Sequence, residues 1–186
     1  MVVSPDTTIK FILGSKPRDN NDRPDLLSTL IAAIRMSSNS SSIDDLALCI
    51  FGLLSVVALD AKGGASLRRL DVDALAIDVV RDYSDSPQVH ELAFTLLHNM
   101  MADVERGCHG WRVSDLTKVI LDSIEEHTDE EILQANAIQL LRVISRGTCL
   151  AKSLVRNERG RRILAMANAN FPDSCKELVD SLLHDE

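Results

Sequence analysis

At 186 residues the chain is long enough to bury a real core in one or two domains, and 45% of it is hydrophobic. Only 3% is aromatic, so that core must be built from Leu, Ile, Val and Ala, which let helix axes approach closely. A net charge of −8 argues against a nucleic-acid partner, whose phosphates call for Lys and Arg clustered along a surface.

Residues 1–24 are expected to form an N-terminal segment: a short apolar patch, Ile9, Phe11, Ile12 and Leu13, then a polar linker from Gly14 to Pro24. Asp22, Pro24 and Asp25 then open a helix that runs to about Met36. The serine-rich run Ser37 to Ser42 reads as a loop, because such side chains compete for backbone hydrogen bonds and bury nothing. Further helices are predicted over 43–59, 71–83, 87–104, 114–127, 130–145, 148–157, 159–169 and 172–184. Ser86-Pro87 sets proline in a first turn behind a capping serine, and Ser114 precedes the helix carrying Val119 and Ile120. Thr128 with Glu131 has the spacing of a capping box, and Phe171-Pro172 starts the last helix. Asp44, Asp45, Glu130 and Glu131 fall in first turns, where negative charge suits the helix dipole.

Three of these helices share one frame. Ala47, Ala93 and Ala137 are 46 and 44 residues apart. Four positions before each stands Ile43, Val89 or Leu133. At plus three, four and seven follow Ile50, Phe51 and Leu54, then Leu96, Leu97 and Met100, then Leu140, Leu141 and Ile144. A second helix precedes each at fixed distance, through Ile31 and Ile34, Ile77 and Val80, Leu121 and Ile124. Two helices keeping one relative register in three copies mark an all-α repeat architecture. A shortened fourth copy places Phe171, Cys175, Leu178, Val179 and Leu182 in the same slots behind Ile163 and Leu164. The repeat domain therefore spans 25–184, in units of about 25–60, 61–106, 107–147 and 148–184.

The frame Val89-x-x-x-Ala93-x-x-Leu96-Leu97-x-Asn99-Met100 resembles the third helix of an armadillo repeat. Thr148 to Leu164, with Leu150, Leu154, Val155, Asn157 and Gly160, is similar to the short first helix and glycine turn that open such a repeat. The resemblance to the armadillo/HEAT class implies a right-handed α-α superhelix whose third helices line a concave groove. On that basis the groove would show Glu91, Thr95, His98, Asn99 and Ala102 from the second unit, and Ala135, Gln139, Arg142, Val143 and Arg146 from the third. Cys49, Leu53 and Val56 would add an apolar end. The partner-binding residues implied are Glu91, Thr95, His98, Asn99, Gln139, Arg142 and Arg146, with their polar ends free to meet a peptide or helix. The tryptophan and asparagine array of nuclear-import members is missing: Cys49, Thr95, Gln139 and Glu177 stand in the tryptophan slot, and Leu53, Val143 and Ser181 replace the asparagine elsewhere. Binding of nuclear-localisation signals is therefore not implied.

Catalytic chemistry finds little support in the residues. His90, His98, His109, His127 and His184 show no HxxxH spacing, Cys108-His109 lies in a glycine-flanked turn, and no metal site or cofactor is expected. Gly63-Gly64 lacks the lysine of a phosphate loop, and no GxSxG or Cys/His signature occurs. Arg68-Arg69 and Arg159 to Arg162 are the basic clusters, read mainly as solvated faces. Ser41 and Ser42, each with an aspartate three residues on, form a minor candidate for phosphorylation. Cys49, Cys108, Cys149 and Cys175 are widely spaced, which fits reduced thiols; with no leader or membrane span in view, a cytoplasmic location is expected. The expectation is a non-enzymatic scaffold that holds a protein segment in its groove, or alternatively a structural subunit of a larger assembly.

Overall fold

Apolar residues recurring every three or four positions give each segment one face to bury. The computed structural model of the chain, which describes residues 26–37, 43–101 and 112–184, shows where those faces go. All regular structure among the described residues is α-helical. The helices are α1 (Leu26–Ser37), α2 (Ile43–Ala58), α3 (Ala61–Arg69), α4 (Val72–Asp82) and α5 (Pro87–Met101), then α6 (Val113–Glu126), α7 (Glu131–Gly147), α8 (Cys149–Arg156), α9 (Glu158–Asn170) and α10 (Pro172–His184). None of them is long and apolar enough to cross a membrane. The expected segment 1–24, Ser41, Ser42, Ala102, Cys108 and His109 lie outside the described residues, as do the side chains of Ile34 and Ile43.

The helices pack in two runs. α2 lies on α5, α5 on α7 and α7 on α10, which are the most extensive contacts among the described helices. Behind them α1 packs on α4, α4 on α6 and α6 on α9. Each helix of the second run also packs on its own partner in the first: α1 on α2, α4 on α5, α6 on α7 and α9 on α10. The short helices wedge in between, α3 against α2, α4 and α5, and α8 against α6, α7 and α9.

The alanine frame is the centre of this packing. Ala47, Ala93 and Ala137 are 1%, 0% and 0% exposed. Phe51, Leu54, Leu96, Leu97, Leu140, Leu141 and Ile144 are buried around them. An alanine at each crossing point leaves room for the next helix, while the larger residues on either side fill the flanks. Cys175 takes the alanine's place in α10 and is equally buried. From the second run Ile31, Ile77, Val80, Leu121, Ile124, Ile163 and Leu164 close the core. Burying one such side chain stabilises the fold by about 1.5–3 kcal/mol.

Three sequence expectations need correction. No helix is expected between 60 and 70, yet α3 runs through Gly63 and Gly64. The reason is a close approach: a Cβ on Gly63 would stand 2.0 Å from the Val57 carbonyl oxygen of α2. Asp60 caps this turn by accepting from the Gly63 N–H at 3.0 Å. The same corner recurs between α8 and α9, where Asn157 accepts from the Gly160 N–H at 2.8 Å. A Cβ on Gly160 would stand 2.3 Å from the Val155 carbonyl oxygen. Second, Thr128 does not cap α7: Glu130 is the capping residue, without a side-chain bond, and the Thr128 hydroxyl donates to Asp129 instead. Third, α6 starts at Val113 behind Arg112, so Ser114 lies inside the helix.

The buried helix ends are closed by neighbours. The last four carbonyls of a helix have no partner within it. On α2, Asn99 of α5 donates to the Ser55 carbonyl at 3.2 Å. Beyond α4, His90 donates through Nε2 to the Tyr83 carbonyl at 3.0 Å. On α5, Arg68 of α3 donates to the Met100 carbonyl. On α6, Gln134 of α7 donates to the Ile124 and His127 carbonyls, both at 2.8 Å. These bonds lock adjacent helices at their ends, where apolar packing runs out.

Candidate functional site

The run α2, α5, α7, α10 carries the implied partner-binding residues. On α5, Glu91, Thr95, His98 and Asn99 are all half-buried; on α7, Gln139 and Arg142 are half-buried and Arg146 is exposed. α5 and α7 pack side by side, so these residues come from adjacent helices. On α2, Leu46, Cys49 and Leu53 form an exposed apolar stripe at helical spacing, with Leu53 42% exposed.

Their hydrogen bonds divide them. Thr95 donates to the Glu91 carbonyl at 2.8 Å and accepts from Asn136 of α7 at 3.3 Å. Asn99 is committed to Ser55 of α2. Both polar ends therefore make bonds from helix to helix, because each sits at the seam where two helices meet. Burial raises the Glu91 carboxyl above its ordinary range, and the Glu130 carboxylate adds to the effect. Gln139 and His98 have no such cross-helix bond among the described residues.

Arg142 and Arg146 are brought together. They line a cavity of about 280 Å³ at the end of α7, together with Lys152 and Arg156 of α8. Neither Lys152 nor Arg156 is among the residues expected from the sequence. The signal was there: Arg142-x-x-x-Arg146 and Lys152-x-x-x-Arg156 are like-charged pairs four apart, each on one helix face, flanking the Gly147-Thr148 corner.

The other basic cluster is used internally. Arg159 pairs with Asp122 at 2.6 Å and Glu125 at 2.7 Å, and Arg162 pairs with Glu125 at 2.6 Å, tying α9 to α6. Hydrogen bonding from Arg159 and the charge of both arginines hold the Glu125 carboxyl below its ordinary range. The Arg159–Arg162 run is therefore a solvated face, as expected, whose Arg159 and Arg162 also pair with α6.

Among the described residues, burial alters the histidine His90 strongly. It is 1% exposed, with Ser123 of α6 at 2.9 Å from Nδ1 and the Tyr83 carbonyl at Nε2. A carbonyl only accepts, so Nε2 carries the proton and Nδ1 accepts from the Ser123 hydroxyl. The His127 ring meets it edge-on at 4.8 Å. Burial first, and the charge of His127 second, pull the His90 imidazole from 6.5 down to about 4, so it is neutral at pH 7. Among the described residues no group of three or more His, Cys, Asp or Glu is placed to hold a metal ion.

Comparison of the chain with protein-family models, with curated proteins and with solved structures finds no match.

Proposed function

We propose that the chain is a non-enzymatic protein-interaction scaffold, an armadillo/HEAT-like solenoid that takes up a partner segment along α2, α5 and α7. One observation supports the reading: these helices pack in succession, each burying its frame alanine, and on this reading one face of each opens to a common side. That face offers the apolar Leu46, Cys49 and Leu53 at one end, Gln139 and His98 in the middle, and Arg142 and Arg146 at the other. A ligand with an apolar anchor and an acidic end matches this gradient. Thr95 and Asn99 serve such a site as the seams that hold its helices in register, and Glu91 borders it.

A photo-cross-linking residue tests this when placed at Leu53 or Gln139, with Lys118, exposed on α6, as the comparison position. The scaffold reading expects one discrete adduct shared by Leu53 and Gln139 and absent from Lys118. Equal labelling at all three positions, or none, removes the site from this face. The second reading, a permanent subunit of an assembly, is favoured by the Leu46–Cys49–Leu53 stripe, since an open apolar stripe of this kind also marks a fixed interface. Light scattering separates the two: a monodisperse monomer fits the scaffold, and self-association relieved by Leu53→Asp fits the subunit.

A further inference from the structure

The cavity at the end of α7 gathers four cations in a chain of net charge −8. Arg142 and Arg146 enter from α7, Lys152 and Arg156 from α8, and the hydroxyls of Ser145, Thr148 and Ser181 add to the polar lining, which contains no Asp or Glu. The arrangement runs against local energetics. Each pair sets like charges four residues apart on one helix, which is unfavourable, and the corner at Thr148 then brings the two pairs onto one space. Two helix ends also open here, but the positive start of α8 and the negative end of α7 largely offset each other, so the side chains set the sign.

Donors remain over. The Arg142 Nε and the Ser145 hydroxyl are buried without a hydrogen-bond partner. A buried donor left unpaired is costly, and a ligand oxygen would remove that cost. The Lys152 ammonium makes no ion pair with a described residue; Arg146 and Arg156 are engaged in other contacts as well. A single carboxylate brings one charge to this site, whereas a phosphate brings close to two and three acceptor oxygens, which suits several converging cationic donors. The volume of about 280 Å³ leaves room for the phosphate and for the side chain bearing it.

We propose that this cavity binds a phosphate group, presented by a phosphorylated side chain at the acidic end of the partner segment. The segment rests on the scaffold reading; the hold on phosphate does not. The test titrates the full-length chain at low ionic strength with inorganic phosphate, with the peptide Gly-Gly-phosphoserine-Gly-Gly, and with the same peptide unphosphorylated, following backbone amide shifts. Phosphate and phosphopeptide should both move the amides around 145–152, and Lys152→Gln or Arg142→Gln should weaken both by about tenfold, the loss of one charge-assisted hydrogen bond. Lys118→Gln, on α6, should change nothing. If Arg142→Gln fails to fold, Lys152→Gln decides, since its ammonium holds no other described group. No shift with phosphate, or equal weakening by Lys118→Gln, overturns the site. Binding of free phosphate without the phosphopeptide overturns the phosphorylated segment as its source, as does equal binding of the unphosphorylated peptide. Failure of the scaffold reading shows separately, in the cross-linking at Leu53 and Gln139.

Discussion

Ala93 and Leu97 stand one turn apart on α5, and both are 0% exposed. Ala93→Leu should cost about 1–3 kcal/mol by overpacking α5 against its neighbours. Leu97→Ala should cost about 2–5 kcal/mol through the cavity it leaves. Thermal melts read both. Asn99→Ala should lower stability by about 0.5–1.5 kcal/mol, because the Ser55 carbonyl loses its donor at the end of α2. An unchanged melting temperature would show that water replaces that bond. His90 makes stability depend on pH with a definite sign. Its folded value of about 4 lies below the ordinary 6.5, so between them the unfolded chain binds the proton and the native one does not. The contribution is fully present above pH 6.5 and is lost as pH falls toward 4. At about 1.4 kcal/mol per unit the drop from 6.5 to about 4 amounts to about 3–4 kcal/mol. The difference between wild-type and His90→Gln denaturation midpoints across that range isolates it from the carboxylates.

The helix corners show how elements are joined at close quarters. Gly63 and Gly160 each follow an Asx cap by three residues, and each lies where a Cβ would strike the carbonyl of the preceding helix. Backbone cannot swing aside as a side chain can, so Gly160→Ala should destabilise by about 1–3 kcal/mol or more. Gly52 supplies the contrast. It lies inside α2 with nothing within 4 Å of a built Cβ, so Gly52→Ala should stabilise by about 0.5–1 kcal/mol through helix propensity alone. A pair of melts with opposite signs is the expected result. The ion pairs of Arg159 and Arg162 with α6 are solvent-exposed, so their contribution is expected to be small and salt-sensitive.

Across the whole molecule, connectivity of packing sets where the fold opens first. α5 packs on α2, α3, α4 and α7, and α7 on α5, α6, α8 and α10, whereas α1 packs chiefly on α2 and α4. Amide hydrogen exchange should therefore be slowest in α5 and α7, where exchange needs global unfolding, and fastest in α1 among the helices. Equal protection in α1 and α7 would mean that the end of the run is as firmly held as its middle.

The apolar period was legible in the chain because it is a local property. The spacing of Ala47, Ala93 and Ala137, with Phe51, Leu97 and Ile144 around them, identifies the buried face before any tertiary contact is known, and those faces are the buried ones. Pro87 and Pro172 likewise mark helix starts on backbone grounds alone. What could not be read is everything settled by proximity in space. Asn99 reaches across 44 residues to close α2, Arg68 across 32 to close α5, and Gln134 across 10 to close α6. Each looks in the sequence like a surface polar residue. The close approach that requires Gly63 is visible only once α2 is set against it, and the pair Lys152 and Arg156 joins Arg142 and Arg146 only when the Thr148 corner folds one helix onto the other. Periodicity decides which face of a helix is buried. Only the docked neighbours decide which polar group ends up beside which.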